Sequence, residues 1–91
     1  MKYQVRYSKA FKKGLKKLKN NQEILELTKA VIIKLANDET LEPKYKDHKL
    51  SGEYEGFREC HILPNLLLIY QKQESLLILS CIALGSHSEV F

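Results

Sequence analysis

The sequence has no tryptophan, only two cysteines, and no acidic residue before Glu23. It also has no apolar run long enough to cross a bilayer. The basic start, "MKYQVRYSKAFKKGLKKLKNNQ", is followed by no apolar stretch of the kind a secretory leader carries. The expected compartment is the cytoplasm, and no membrane partner is expected. Cys60 and Cys81 sit inside apolar segments, so they read as buried reduced thiols. No CxxC or HxxxH spacing supports a zinc site built from Cys60, His61, Cys81 and His87. Repeats and low-complexity tracts are absent. The 91 residues, 44% hydrophobic and 29% charged, suit a single domain with one core.

The missing acids at the start leave a strong charge asymmetry. The first 22 residues hold eight lysines and arginines and no acid; the rest holds 7 basic and 11 acidic residues, a net −4. A concentrated basic end suits a polyanion or an acidic protein, although a lysine-covered solvated helix has the same composition.

Periodicity orders the chain. "KYQVRY" alternates Tyr3, Val5 and Tyr7 against polar residues and predicts a short strand. Ser8 is a good N-cap for a first helix, on which Phe11, Leu15 and Leu18 form a narrow apolar stripe. Gly14 is expected to weaken that helix by on the order of 1 kcal/mol. Asn20 with Glu23 resembles a capping box for a second helix bearing Ile24, Leu27, Val31 and Leu35. The tight join makes the two helices an antiparallel hairpin. Residues 38–53 read as a long loop. Three strands follow: "GFRECHI", "NLLLIYQ" and "SLLILSCIAL", joined by short turns at Pro64-Asn65 and "KQES" and hence antiparallel. The expected fold is α+β: an N-terminal strand, a helical hairpin and a three-stranded antiparallel meander in one sheet, with the helices on one face.

The chemistry-bearing residues cluster in the second half. In a meander, the end of the first strand, the start of the second and the end of the third share one rim. His61, Asn65 and His87 can meet there, with the loop bearing His48 folded over them. Read singly, each histidine fits an ordinary surface or strand-end role. Together with a basic surface they suggest RNA cleavage. The attacking 2′-hydroxyl must lose a proton and the leaving 5′-oxygen must gain one, and imidazole can do either. Arg58, Lys46 and Lys49 are candidates to balance the charge that develops on the phosphate. An aromatic such as Phe91 or Tyr45 can stack on a base. Arg58 could equally form an ion pair with Glu55 or Glu59. This chemistry needs no metal and no cofactor.

At "YKDHKLSGEYEGFRECHILPNLLLIY" and "LGSHSEVF" the sequence resembles the YafQ-type toxins of the RelE/ParE superfamily, from bacterial type II toxin–antitoxin systems. The resemblance runs over essentially the whole chain. It implies a fold like the one above and a ribosome-dependent endoribonuclease that cuts mRNA without metal. It places catalytic histidines at His48, His61 and His87, with His87 the proton donor to the leaving oxygen. The closing aromatic falls on Phe91, which is expected to serve the site and plug the core. Implied partners are a cognate antitoxin, the ribosome and mRNA, with operator DNA bound only through the antitoxin. The family commonly reads Pro-Asp where this chain reads Pro64-Asn65, and carries an arginine where this chain has Ala83. Leu66 stands where such toxins can have Trp. Loss of an ionisable carboxylate and of a guanidinium implies attenuated cleavage. With Asn65 unable to ionise, the base is His48 or His61. A module of the same fold without nuclease activity, acting through antitoxin binding and co-repression, is the alternative. Poisoning of DNA gyrase, as in the ParE branch, fits the histidine set less well.

Overall fold

The computed structural model describes residues 1–91. In chain order it contains β1 (Gln4–Tyr7), α1 (Lys9–Lys16), α2 (Gln22–Ala36), β2 (His48–Lys49), β3 (Arg58–Leu63), β4 (Leu66–Gln73), β5 (Ile78–Gly85) and α3 (His87–Val90). Single 3-10 turns occupy Pro43–Tyr45 and Gly52–Tyr54. The five strands form one sheet in the order β1-β5-β4-β3-β2. The meander β3-β4-β5 is antiparallel as expected, and β1 joins its far edge parallel to β5.

Local chemistry sets the helix ends. Ser8 Oγ accepts a 3.0 Å bond from Phe11 N and caps α1. The turn after α1 runs through Asn20, because Asn21 N donates to the Leu18 carbonyl at 2.8 Å. The cap of α2 is therefore Asn21, not Asn20, with its side chain accepting from Ile24 N. Phe11 of α1 and Val31, Ile32 and Leu35 of α2 pack on one sheet face against Cys60, Leu68, Tyr70, Leu79, Cys81 and Leu84. Both cysteines are free and fully buried, and burial pushes their thiols up, that of Cys81 to about 12. They are inert packing groups.

The structure departs from the sequence reading in three further places. The loop 38–53 contains β2, where His48 and Lys49 pair with Glu59 and Arg58. Two paired residues are too few for alternation to reveal. The last hairpin turns later than expected: Gln73 still pairs with Ile78, so Leu76 and Leu77 sit exposed in the turn. The chain end forms α3, which packs against β4 and β5. Phe91 is 40% exposed and does not plug the core.

Two features aim the end of β5. Ile69 pairs with Ala83 but Tyr70 with Cys81, so Ile82 is an extra residue, a β-bulge. The bulge reverses the alternation. Cys81 and Leu84 both face the helices, while Ala83 and Gly85 join the rows of Ile69 and Leu67 on the opposite face. Ser8, between β1 and α1, holds the bulge: its N–H donates to the Cys81 carbonyl and its hydroxyl to the Ile82 carbonyl.

Gly14 supplies the second feature. A Cβ there would lie 2.0 Å from the Leu84 carbonyl oxygen. The glycine that weakens α1 lets it approach the β5 backbone. Helix propensity alone predicts that Gly14→Ala stabilises by about 1 kcal/mol. The contact reverses the sign, because a strand carbonyl cannot step aside. The expected outcome is a loss of roughly 1–3 kcal/mol in urea denaturation, and a gain would refute this account of the packing.

Candidate active site

The sheet face away from α1 and α2 carries Glu59 and His61, which alternate with the core residues Cys60 and Ile62 along β3. Strand register adds the neighbours. His48 pairs with Glu59, Glu59 with Ile69 and Ile69 with Ala83, so these four stand in one cross-strand row. The adjoining row is His61, Leu67 and Gly85. Above them, a cleft of about 770 Å³ is lined by 11 residues, including His48, Glu59, His61, Asn65, His87 and Phe91. The β3–β4 turn delivers Asn65, and α3 delivers His87 and Phe91.

Glu59 lies at the centre and is 6% exposed. Its Oε1 is 3.1 Å from His61 Nε2 and 3.7 Å from His48 Nε2. A buried carboxylate needs a hydrogen-bond partner, and His61 supplies it. His61 Nδ1 faces the Pro64 carbonyl at 3.3 Å, so the ring is held between that carbonyl and the Glu59 carboxylate. His48 Nδ1 donates to the Lys46 carbonyl at 2.6 Å, which orients the ring with Nε2 toward Glu59. Lys46 takes the left-handed conformation (φ 48°, ψ 41°) to aim that carbonyl. A non-glycine residue held there stores strain beside the site.

The tail is fastened by its own contacts. Glu89 accepts from Ser86 N at 2.8 Å and pairs with Lys17 Nζ at 2.8 Å, ties that hold its carboxyl down at about 2. A Cβ on Gly85 would lie 2.9 Å from Glu89 Oε1, so the glycine leaves room for this cap. The Phe91 ring packs edge-on against Tyr54 at 4.9 Å and lies 5.0 Å from the His87 ring. Tyr54 thus joins the loop before β3 to the chain end.

The structure brings His48, His61, His87, Asn65 and Phe91 to one cleft. Lys46 touches the site through its carbonyl and also lines a smaller pocket alongside. Lys49 and Arg58 lie elsewhere: they pair across β2 and β3 in the row of the core residue Tyr70 and line a separate pocket. Arg58 Nε donates to Asp47 at 3.3 Å and to the Tyr70 hydroxyl at 3.2 Å, so its ionic partner is Asp47 rather than Glu55 or Glu59. Burial and the bond to Asp47 push the Tyr70 hydroxyl well above its ordinary range. Tyr45 is buried and unavailable for stacking. Sequence reasoning missed Glu59, although its position two residues before His61 on a strand was the available signal. No lysine or arginine lines the cleft. No group of three or more His, Cys, Asp or Glu side chains is arranged to hold a metal ion. No helix is long and apolar enough to cross a membrane.

Known proteins resemble this chain over nearly its full length. Residues 3–91 match the model of a family described as the bacterial toxin of a type II toxin–antitoxin system, YafQ. The mRNA interferase toxin YafQ of Escherichia coli K12 is 32% identical over 88 residues, which are 96% of this chain and 94% of that one. A metal-bound toxin from Helicobacter pylori is 46% identical, with a TM-score of 0.89 over 98% of this chain and 99% of that one. A chain from the Escherichia coli DinJ–YafQ complex is 28% identical, with a TM-score of 0.85 over 98% of each chain.

Proposed function

The chain belongs to the YafQ family of type II toxin–antitoxin toxins, and from that premise we propose that it is an endoribonuclease cutting mRNA on the ribosome. The observation that carries the reading is the convergence of His48, Glu59, His61 and His87 on one open cleft. The 2′-oxygen attacks the adjacent phosphorus and the bond to the 5′-oxygen breaks. The products are a 2′,3′-cyclic phosphate and a 5′-hydroxyl. His48 Nε2 and Glu59 Oε1, 3.7 Å apart, are too far for a hydrogen bond to each other. A hydroxyl oxygen about 2.8 Å from both fits between them, and this pair takes the proton. His61 holds the Glu59 carboxylate in place. His87, exposed at the start of α3, protonates the leaving oxygen. The Asn65 amide donates to the phosphate, and Phe91 stacks on a base.

The same cleft supports attenuation. Negative charge grows on the phosphate in the transition state, yet no permanent cation lines the site. That absence is also what favours the second reading, a module acting through its antitoxin and as co-repressor at operator DNA that the antitoxin binds. The Escherichia coli relative crystallised with DinJ supports a protein antitoxin as the partner here. The exposed lysines of α1, Lys9, Lys12, Lys13 and Lys16, are suited to ribosomal RNA phosphates. Lys17 is engaged with Glu89.

Primer extension on a defined mRNA tests the function. Cuts are expected in a reconstituted translation reaction and absent when ribosomes are omitted. Equal cutting without ribosomes would overturn the ribosome requirement, and no cutting in either would favour the second reading.

A further inference from the structure

A second, smaller pocket of about 390 Å³ opens beside the cleft. Leu27 of α2, Leu63 and Pro64 give it apolar walls, and Lys44 and Lys46 stand on its rim. His61 and Pro64 line both pockets, so the two adjoin at the end of β3. Lys44 and Lys46 are exposed, and neither takes part in any of the ion pairs of the fold. The Lys44 ammonium lies 5.3 Å from the centre of the Tyr45 ring. The catalytic cleft has the opposite make-up, with proton-transfer groups and no lysine or arginine.

We propose that this pocket is a nucleotide subsite, holding the base next to the scissile bond while Lys44 and Lys46 meet the adjoining phosphates. The inference rests on the ribonuclease reading and adds to it a place where the strand is gripped. Single-stranded RNA carries a flat apolar base and a phosphate at every step. An apolar slot with two free cations at its mouth matches that unit. A strand whose 2′-hydroxyl lies between His48 and Glu59 has His61 beside it, and His61 also lines the smaller pocket. Lys46 links the two sites: its carbonyl orients His48, and the residue also lines the subsite. The cation missing from the reacting centre is thus placed one nucleotide away, where it contributes to binding rather than to the transition state.

The test uses the His87→Ala protein and a short single-stranded oligoribonucleotide with one 2′-deoxy sugar at the scissile position, so that cleavage does not intervene. Amide NMR shifts are expected around Glu59 and His61 and also at Leu27, Lys44 and Leu63. Removing the nucleotide on one side of the scissile step should abolish the second set and keep the first. Adding Lys44→Ala, an exposed change that leaves the fold intact, should weaken binding and reduce the slope of log affinity against log salt by about 0.7. Shifts confined to the cleft, or a salt slope unmoved by Lys44→Ala, would overturn the subsite and leave the ribonuclease reading standing. No shifts in either place would overturn the subsite as well, while the ribonuclease reading, which expects cleavage only on the ribosome, is decided by primer extension.

Discussion

His87→Ala is expected to slow mRNA cleavage by about two to four orders of magnitude, the usual cost of losing a positioned general acid. The leaving 5′-oxygen departs as an alkoxide unless it is protonated, and His48, Glu59 and His61 stand together on β2 and β3. His87 is carried by α3, and its ring lies 5.0 Å from that of Phe91. It is exposed, so removing the imidazole should change stability by no more than about 0.5 kcal/mol. A melt that matches the parent protein, with the cuts gone from primer extension, would therefore assign the loss to chemistry. Growth inhibition that persists undiminished in His87→Ala would mean that toxicity does not come from cleavage.

Ala83→Arg combined with Asn65→Asp is expected to raise the cleavage rate about tenfold or more. Ala83 stands in the row of Ile69, Glu59 and His48, facing the cleft side, because the bulge at Ile82 turned it there. A guanidinium at that position can reach across the sheet toward the phosphate, and one well-placed donor to a developing oxyanion is worth about 10²–10³ in rate. Part of that gain is forfeited if the new arginine pairs with Glu59, about two strand spacings or roughly 10 Å away. Asn65 sits at the mouth of the same cleft, where a carboxylate restores an ionisable group beside His61. The comparison is single-turnover cleavage on one mRNA at one salt concentration. An unchanged or lower rate would remove Asn65 and Ala83 as the cause of weak activity. The arginine also gives the developing charge a permanent partner, so the increase should appear in the rate of cleavage more than in substrate affinity.

Much of this protein was legible before any coordinates. Regular spacing of apolar residues announced two helices and the three meander strands, because core burial imposes a period on every element long enough to show one. Ser8 was readable as a cap because a helix start needs a side-chain acceptor within reach. The three histidines and Phe91 stood out because few side chains titrate near neutrality or stack on bases, and the antiparallel meander alone placed His61, Asn65 and His87 at one rim. Other facts depended on contacts between distant segments. Whether Arg58 faced the cleft turned on strand parity and on Asp47, eleven residues away in the chain. Gly14 reads as a flaw in a helix until the Leu84 carbonyl is seen against it. Glu59 reads as an ordinary charge until two imidazoles close around it. The bulge that sends Ala83 to the reacting face leaves no mark in the apolar pattern of β5. Local sequence determined which elements form, since propensity and period act over a few residues. Tertiary structure decided which side chains meet, since register, bulges and close approaches are set by partners far along the chain.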